Sequence, residues 1–421
     1  MVSQFRLLKL PSLAQRQVLL HFRAIDIFEL SFTSTRVRDC VIRSARLRAI
    51  EHNVRFEEKY PHIVTVYKRD DGIDEDLLTW KFTGKDKKCF ADPLEKIIGC
   101  HKFNECYKCR TTIFCRFHNS EFGVSVVFNY ISTLFPGPVN LNLKLNNIRN
   151  IHALLLNENL SKCQNLDIWE AGDRKNKTDE DLGEILDLVS IGKGLKALVK
   201  QKDELDIEKI RNLESVLIMD AEWMDLSTLL SFKCRFGSFL KHKFGPNEIT
   251  AFVENWYNST DKKLEMMRFG WNACTPFELK RNDLKWEKWD PKRRSRYFYD
   301  SAERHPSNKI DCAEGYDVTR PDGVTATVLF EDAFDCSVLF LVWQGRYPEK
   351  TQLKSLSERM TRIDDKMKKL KSITPPRSDL KHHTHLDEEP NGLYNKLHEE
   401  RLRLMSEMDN WEEKEIYDPS Y

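Results

Sequence analysis

FRLLKLPSLAQRQVLLHFRAIDIFELSFTSTRVRDCVIRSARL, residues 5–47, places apolar side chains at the spacing of three short helices. The first helix is predicted with Pro11 in its first turn, where a missing N–H is tolerated. Its apolar stripe recurs at every fourth position, at Leu10, Ala14, Val18 and Phe22, and is widened by Leu13 and Leu19. A second helix is predicted around residues 27–32, and Ser34 or Thr35 can cap a third. About forty residues bury too little surface to be stable alone, so these helices are expected to dock.

The order of certain residues in this stretch is similar to that of a known module. The residues are Leu10-Pro11, Val18, Leu30, Ser34, Val37 and Arg38. Their order resembles the F-box, with which substrate receptors bind the Skp adaptor of cullin-type ubiquitin ligases. The resemblance implies an adaptor interface, or its direct support, formed by Leu10, Pro11, Val18, Leu30 and Val37. The alternative is an ordinary helical bundle that caps the domain behind it.

Composition narrows the classes of protein without selecting one. A chain of 421 residues is long enough for two or three domains. The 67 Lys and Arg residues balance 66 Asp and Glu residues, so charge alone indicates neither nucleic acid nor an acidic membrane as the main partner. We find no signal peptide and no apolar run long enough for a membrane span, and the eleven cysteines suit reduced thiols. The protein is therefore expected to be soluble and intracellular, in the cytoplasm, the nucleus or both.

Residues 48–135 are predicted to be rich in β structure and to lead into the main domain. Strands are predicted at 63–68, 77–82, 111–117 and 124–128. Asp70-Asp71-Gly72 is a candidate hairpin turn between the first two strands. A short helix is predicted at 129–135.

Residues 136–347 alternate short apolar runs with helical segments. The runs are LNLKL at 141, LDIW at 166, LKALV at 195, VLIM at 216, SFL at 238 and MMRF at 266. Helices are predicted after Thr178 and from Asn247. A strand and a helix recurring every 20 to 30 residues or so are typical of solenoids, which predicts an irregular leucine-rich-repeat-like α/β domain. A sandwich-like α/β domain is the alternative. A hairpin with the turn Arg320-Pro-Asp-Gly323 and a strand at 338–343 are expected to close the domain.

Within this domain, residues 213–271 resemble the F-box-associated type 2 domain of a large nematode family of F-box proteins. The resemblance rests on LESVLI from Leu213, on WMDLSTLLSFKC from Trp223, and on the spacing of Phe252, Trp256 and Leu264. It implies that Trp223, Phe252, Trp256 and Leu264 belong to the core of that domain. Simple packing at helical spacing also explains Phe252 and Trp256.

Sites of chemistry are sparse. Cys106, Cys109, Cys115 and His118 are the candidate zinc ligands, but only five residues separate the two pairs, so no metal site is predicted. We find no phosphate loop and no catalytic motif of a hydrolase, metalloprotease or kinase, so neither a cofactor nor catalysis is expected. The stretch 286–299 interleaves basic and aromatic residues and could bind nucleic acid, although a solvated or partner-facing edge is the preferred interpretation in a neutral protein.

The last segment, residues 348–421, is predicted to be a helical and partly flexible tail. A heptad seam from Leu353 to Leu370 ends at Pro375-Pro376, and a second helix is predicted from Leu393. The predicted organisation is therefore residues 1–47, 48–135, 136–347 and 348–421, an α+β or α/β protein with helical ends.

The leading hypothesis is a non-catalytic substrate-recognition subunit of a ubiquitin ligase. Its N-terminal helices would bind a Skp-type adaptor and through it a cullin, while the α/β domain would bind a protein substrate. The competing hypotheses are an interaction scaffold without adaptor binding and a nucleic-acid-binding protein that uses residues 286–299.

Overall fold

A computed structural model describes the following parts of the chain. They are residues 7–45, 48–56, 61–68, 75–83, 94–98, 100–109, 111–116, 119–170, 182–201, 205–270, 284–288, 297–299, 309–331 and 337–343. The chain divides into two compact units, Met1–Glu248 and Ile249–Tyr421. The mixed α/β class predicted from the sequence is confirmed.

Three helices begin the first unit, where the sequence predicts them. They are α1 (Ser12–Leu20), α2 (Ala24–Ser31) and α3 (Thr35–Ala45), preceded by a 3-10 turn at Leu7–Lys9. Pro11 lies one residue before α1 rather than inside it, and its carbonyl accepts the Gln15 N–H at 2.9 Å. Ser34 supplies the cap of α3, because its Oγ accepts the Val37 N–H at 3.2 Å.

Six strands follow the helices. They are β1 (Ala49–Arg55), β2 (His62–Lys68), β3 (Glu75–Thr83), β4 (Leu94–Ile98), β5 (His101–Cys109) and β6 (Thr112–Arg116). The antiparallel pairing of β2 with β3 agrees with the predicted hairpin, whose turn at residues 70–72 lies outside the described residues. The predictions at 63–68, 77–82 and 111–117 correspond to β2, β3 and β6, whereas β1, β4 and β5 were not predicted.

The strand predicted at 124–128 is wrong, because these residues lie inside helix α4 (Ser120–Leu134). The Asn119 side chain caps this helix by accepting the Phe122 N–H at 3.0 Å. The buried residues recur at helical spacing, at Val124, Val127, Phe128, Ile131 and Leu134. The run VSVVF has high β propensity, but the apolar stripe continues into the helix predicted at 129–135, and burial of that stripe prevails.

A run of parallel strands completes the sheet of the first unit. Its elements are β7 (Val139–Lys144), α5 (Ile151–Leu155), β8 (Lys162–Trp169), α6 (Leu182–Leu188), β9 (Ser190–Leu198), β10 (Ser215–Ile218), α7 (Leu226–Ser231) and β11 (Phe236–Leu240). Short 3-10 turns lie at Leu145–Asn147 and Ile207–Lys209. Within this unit the strand order is β11-β10-β9-β8-β7-β1-β2-β3-β6-β5-β4. Strands β7 to β11 follow one another in chain order, and β1 pairs parallel to β7.

Five of the six predicted apolar runs correspond to β7, β8, β9, β10 and β11. Alternate residues of β7 are buried, and the residues between them are half-buried. The same alternation marks β10. One face of the parallel sheet is thus core, and the other carries polar side chains. The finer description of this run as leucine-rich-repeat-like stays a prediction.

Helix α8 (Pro246–Asn258) leads into the second unit, which is largely antiparallel. Its strands are β12 (Met266–Gly270), β13 (Trp286–Lys288), β14 (Tyr297–Tyr299), β15 (Lys309–Asp311), β16 (Tyr316–Thr319), β17 (Thr325–Glu331) and β18 (Ser337–Trp343). Within this unit the sheet runs β13-β16-β17-β18-β12, and β14 pairs with β15. The sixth apolar run, at 266, is β12.

The predicted turn at Arg320-Pro-Asp-Gly323 joins β16 to β17. Gly323 has a φ of 88°, a left-handed conformation that glycine adopts without strain, and its N–H donates to the Arg320 carbonyl at 2.9 Å. The predicted strand at 338–343 is β18. The predicted tail at 348–421, Thr178 and residues 289–296 of the basic and aromatic stretch lie outside the described residues.

Candidate functional site

Helix α2 attaches the N-terminal helices to the sheet and to α4 through aromatic contacts. The centre of the Phe28 ring lies 5.7 Å from the centre of the Trp80 ring and 5.7 Å from the centre of the Tyr130 ring. The Ser31 hydroxyl donates to the Phe28 carbonyl at 2.5 Å, so the Tyr130 hydroxyl, 2.7 Å away, donates to Ser31. Burial raises the pKa of Tyr130, which keeps this donor protonated. One side of α2 is therefore occupied within the chain.

A partly buried ion pair adds a second attachment. Lys96 on β4 is 6% exposed, and its Nζ lies 2.9 Å from both carboxylate oxygens of Glu29 on α2. The same ammonium lies 4.8 Å from the centre of the Phe32 ring. Because a buried lysine needs such partners, this pair fixes the position of α2 on the sheet.

Helices α1 and α3 border an open groove of about 830 Å³. It is lined by Leu8, Ser12, Leu13, Gln15, Arg16, Arg36, Asp39, Cys40 and Arg43. Leu8 is 44% exposed and Leu13 is 69% exposed. Leu13 was predicted to widen the buried stripe of the first helix, and it points to water instead, whereas Leu19 is fully buried. Two exposed leucines therefore line the groove.

Gln15 holds the Leu10-Pro11 corner against α3. Its Nε2 donates to the Leu10 carbonyl at 2.9 Å, and its Oε1 accepts from the Cys40 thiol at 3.2 Å. Three arginines, Arg16, Arg36 and Arg43, line the groove with a single carboxylate, Asp39. The groove therefore combines apolar contact area with a surplus of positive charge.

None of the five predicted adaptor-binding residues lines the groove itself. Pro11 is exposed beside it, and the other four, Leu10, Val18, Leu30 and Val37, are half-buried in the helices. Their role at an adaptor interface stays a prediction. Leu8 and Leu13 were not predicted as interface residues, because the sequence does not show which side of α1 is left open once α1 packs on α3.

The candidate zinc ligands divide between described and undescribed residues. Cys106 on β5 and Cys115 on β6 are buried cross-strand neighbours with their sulfurs 3.5 Å apart. The side chain of Cys109 and the whole of His118 lie outside the described residues. Among the side chains that the structure describes, no three His, Cys, Asp or Glu residues are grouped to hold a metal ion.

The region that resembles the F-box-associated domain continues from the first unit into the second. In the first unit, Trp223 is half-buried, and its indole N–H donates to the Asp220 carbonyl at 3.1 Å. Asp225 caps α7 by accepting the Thr228 N–H at 2.7 Å. Hydrogen bonds from Thr228 and Ser227 lower the pKa of Asp225. These contacts order the chain between β10 and α7.

In the second unit, the predicted pattern residues lie in an aromatic cluster. The ring centres of Phe252 and Trp256 on α8 lie 5.4 Å and 5.0 Å from the ring centre of Phe340 on β18. Phe252, Trp256 and Leu264 are all buried. The guanidinium of Arg320 lies 4.9 Å from the centre of the Trp256 ring and donates to the Asp261 carbonyl at 2.7 Å. Its hydrogen bonds to Asp322 lower the pKa of that carboxyl. These side chains pack the core.

Comparison with known proteins finds a family match for one region of the chain. Residues 205–269, which contain β10, α7, β11, α8 and β12, match the model of the F-box associated family. This match covers 65 of the 421 residues, so one region of the chain is similar to the F-box associated family.

Relatives in Caenorhabditis elegans match beyond that domain. The uncharacterized protein F59B2.9 is 28% identical over 96% of this chain and 93% of its own length. The uncharacterized protein F59B2.8 is 28% identical over 85% of this chain and 81% of its own length. No solved structure matches. The helices in the described part of the chain are too short or too polar to cross a bilayer.

Proposed function

We propose that this protein is a substrate-recognition subunit of an SCF-type ubiquitin ligase. The N-terminal helices bind a Skp-type adaptor, which connects the chain to a cullin, and the α/β domain binds a protein substrate. The chain itself is not catalytic. It acts by proximity, because holding a substrate beside a charged conjugating enzyme raises the effective concentration of the reacting groups.

The observation that carries this proposal is that α2 is packed on the sheet while α1 and α3 border an open groove. Helix α2 contacts the sheet through Phe28 and Glu29, whereas the groove between α1 and α3 exposes Leu8 and Leu13. A helical module held on a domain with one side open to solvent is suited to binding a second protein. The F-box associated domain follows it in the chain, which supports the same assignment.

The test is co-purification of the full chain with a Skp-type adaptor by size-exclusion chromatography. Removal of residues 1–47 is a poor control, because it would expose Trp80 and leave Lys96 without Glu29. The variant Leu8→Asp with Leu13→Asp places charge on the exposed side of the groove and should fold normally. The matched control is Leu156→Asp, because Leu156 is 74% exposed at the end of α5, outside the module.

We expect a one-to-one complex for the wild type and for Leu156→Asp, and a loss of binding of tenfold or more for the double variant. Two desolvated leucines at an interface contribute about 1 to 3 kcal/mol each. If the wild type does not bind any Skp-type adaptor, or if the double variant binds as well as the control, the proposal is wrong.

An interaction scaffold without adaptor binding is the second candidate, and one observation favours it. The docking of α2 on Trp80 and Lys96 is also what a helical cap would do for the sheet. The variant Leu10→Ser with Pro11→Ala separates the two. In a receptor it weakens adaptor binding and leaves the unfolding midpoint nearly unchanged, whereas in a scaffold it lowers the unfolding midpoint and there is no adaptor binding to lose.

A further inference from the structure

The parallel sheet has a polar face, defined here by the half-buried or exposed residues on β1, β7, β8 and β9 whose side chains lie opposite the buried ones. One row across it joins the half-buried Asn53, Asn140 and Asn165 and continues to their register partner on β9, Gly194, which is buried and has no side chain. The next row joins Arg55, Asn142, Asp167 and Lys196. Register partners share a face, so each row is continuous across four strands.

The first row is a ladder of side-chain amides. The Asn165 Nδ2 donates to Asn140 at 2.8 Å, and the Asn140 Nδ2 donates to Asn53 and to Glu51, at 3.0 Å each. A Cβ at Gly194 would lie 2.8 Å from the Asn165 Oδ1, so a glycine there makes room for the ladder. These bonds hold the asparagines in fixed orientations.

Three cations lie in the second row or beside it. Arg55 and Lys196 stand at the two ends of the second row, and Lys144, two residues beyond Asn142 on β7, lies 4.7 Å from the centre of the Trp169 ring. In the part of the chain that the structure describes, none of these three cations makes an ion pair. Three strand spacings separate Arg55 from Lys196, about 14 Å.

We propose that the polar face binds an extended acidic segment of a partner protein. An extended chain advances about 3.3 Å per residue, so carboxylates four residues apart are about 13 Å apart and match the separation of Arg55 and Lys196. The partner lies across the strands, its carboxylates contact Arg55, Lys144 and Lys196, and its backbone meets the amide ladder. This proposal rests on the proposed function, and it identifies the substrate as a protein with an acidic segment.

The composition of the face favours a peptide over a nucleic acid. Glu51 and Asp167 lie among the cations. A nucleic acid carries a negative charge at every nucleotide and would be repelled by both carboxylates, whereas a peptide can place its few carboxylates only opposite the cations. Amides that donate and accept suit a peptide backbone. The chain as a whole is close to neutral, with a formal charge of +1.

The experiment is selection of peptides from a random displayed library on the immobilised full chain, followed by fluorescence anisotropy with the enriched peptide. The test variant is Arg55→Gln, Lys144→Gln and Lys196→Gln together. The charge-matched control is Arg149→Gln, Lys200→Gln and Lys233→Gln, which removes the same charges from exposed positions elsewhere in the first unit.

We expect enrichment of peptides with acidic residues four apart, binding that weakens about tenfold in the test variant, and a change of less than about twofold in the control. The proposal is overturned if acidic peptides are not enriched, if both variants lose binding equally, or if single-stranded oligothymidylate binds this face more tightly than any selected peptide. Adaptor co-purification is measured in parallel. If acidic peptides bind but the adaptor does not, the proposed function fails while the peptide-binding face stands.

Discussion

His52 on β1 is held uncharged by its surroundings. It is fully buried, its Nε2 lies 2.7 Å from the Phe135 carbonyl, and its Nδ1 lies 3.0 Å from the Thr65 hydroxyl. A carbonyl only accepts, so Nε2 carries the proton and the Thr65 hydroxyl donates to Nδ1. Burial lowers the pKa of His52 from 6.5 to about 4.

The lowered pKa predicts a loss of stability in mild acid. Below pH 6.5 the unfolded chain binds a proton at His52, whereas the folded chain does not until the pH approaches 4. The stability that comes from keeping His52 uncharged is therefore fully present above pH 6.5 and is lost as the pH falls toward 4. The free energy of unfolding is lowered by about 2 kcal/mol at pH 5. Urea unfolding at neutral pH and near pH 5 measures it. His52→Gln should lower stability at neutral pH but should show a smaller loss on acidification. An equal loss in the wild type and the variant would show that His52 does not cause the acid sensitivity.

Gly137, between α4 and β7, is a position where the fold excludes a side chain. A Cβ there would lie 2.7 Å from the Ala49 carbonyl oxygen and 2.8 Å from the Ala49 Cβ, so backbone would have to move. Gly137→Ala is expected to destabilise the protein by about 1 to 3 kcal/mol. Gly192→Ala is the control, because its Cβ would meet only the flexible Gln164 side chain, at 3.0 Å. Thermal unfolding should show a lower midpoint for the first variant alone, and equal midpoints would contradict the steric account.

At the scale of elements, the pair Glu29–Lys96 attaches α2 to β4 asymmetrically. The Lys96 side chain is 6% exposed and the Glu29 side chain is 27% exposed. Removing the acid leaves a buried unpaired ammonium, whereas removing the lysine leaves a carboxylate that water can reach.

Glu29→Gln is therefore expected to destabilise the protein by about 2 to 3 kcal/mol, and Lys96→Met by less than about 1 kcal/mol. The double variant should recover most of the loss caused by Glu29→Gln. Chemical denaturation of the wild type, the two single variants and the double variant measures this double-mutant cycle. A larger cost for Lys96→Met than for Glu29→Gln would show that the attachment is not governed by the buried charge.

Apolar periodicity predicted most elements, because burial on one face leaves a repeat in the sequence. All three N-terminal helices and the strands β7 to β12 correspond to predicted segments. Strands β1, β4 and β5 were missed since they are short or carry polar residues, including His52 and Lys96, whose burial depends on distant partners. The open groove could not be predicted for the same reason. Leu13 and Leu19 look equivalent in the sequence, and only the packing of α1 in the folded module makes one exposed and the other buried.

At the scale of the whole molecule, the chain joins an N-terminal helical module with an exposed groove to a sheet and an F-box associated domain. In the proposed receptor these parts have separate surfaces. The groove of α1 and α3 faces the adaptor, and the polar face of the sheet faces the substrate. Changes in one surface should leave binding at the other intact, because each is built from its own residues.

Hydrogen exchange of the full chain with and without a Skp-type adaptor tests the receptor account most directly. We predict that the adaptor slows exchange in the turn at Leu7–Lys9, in α1 and in α3, while α2, already packed on the sheet, changes little. If the adaptor leaves exchange in α1 and α3 unchanged at saturating concentration, the groove is not its binding site and the receptor account is contradicted.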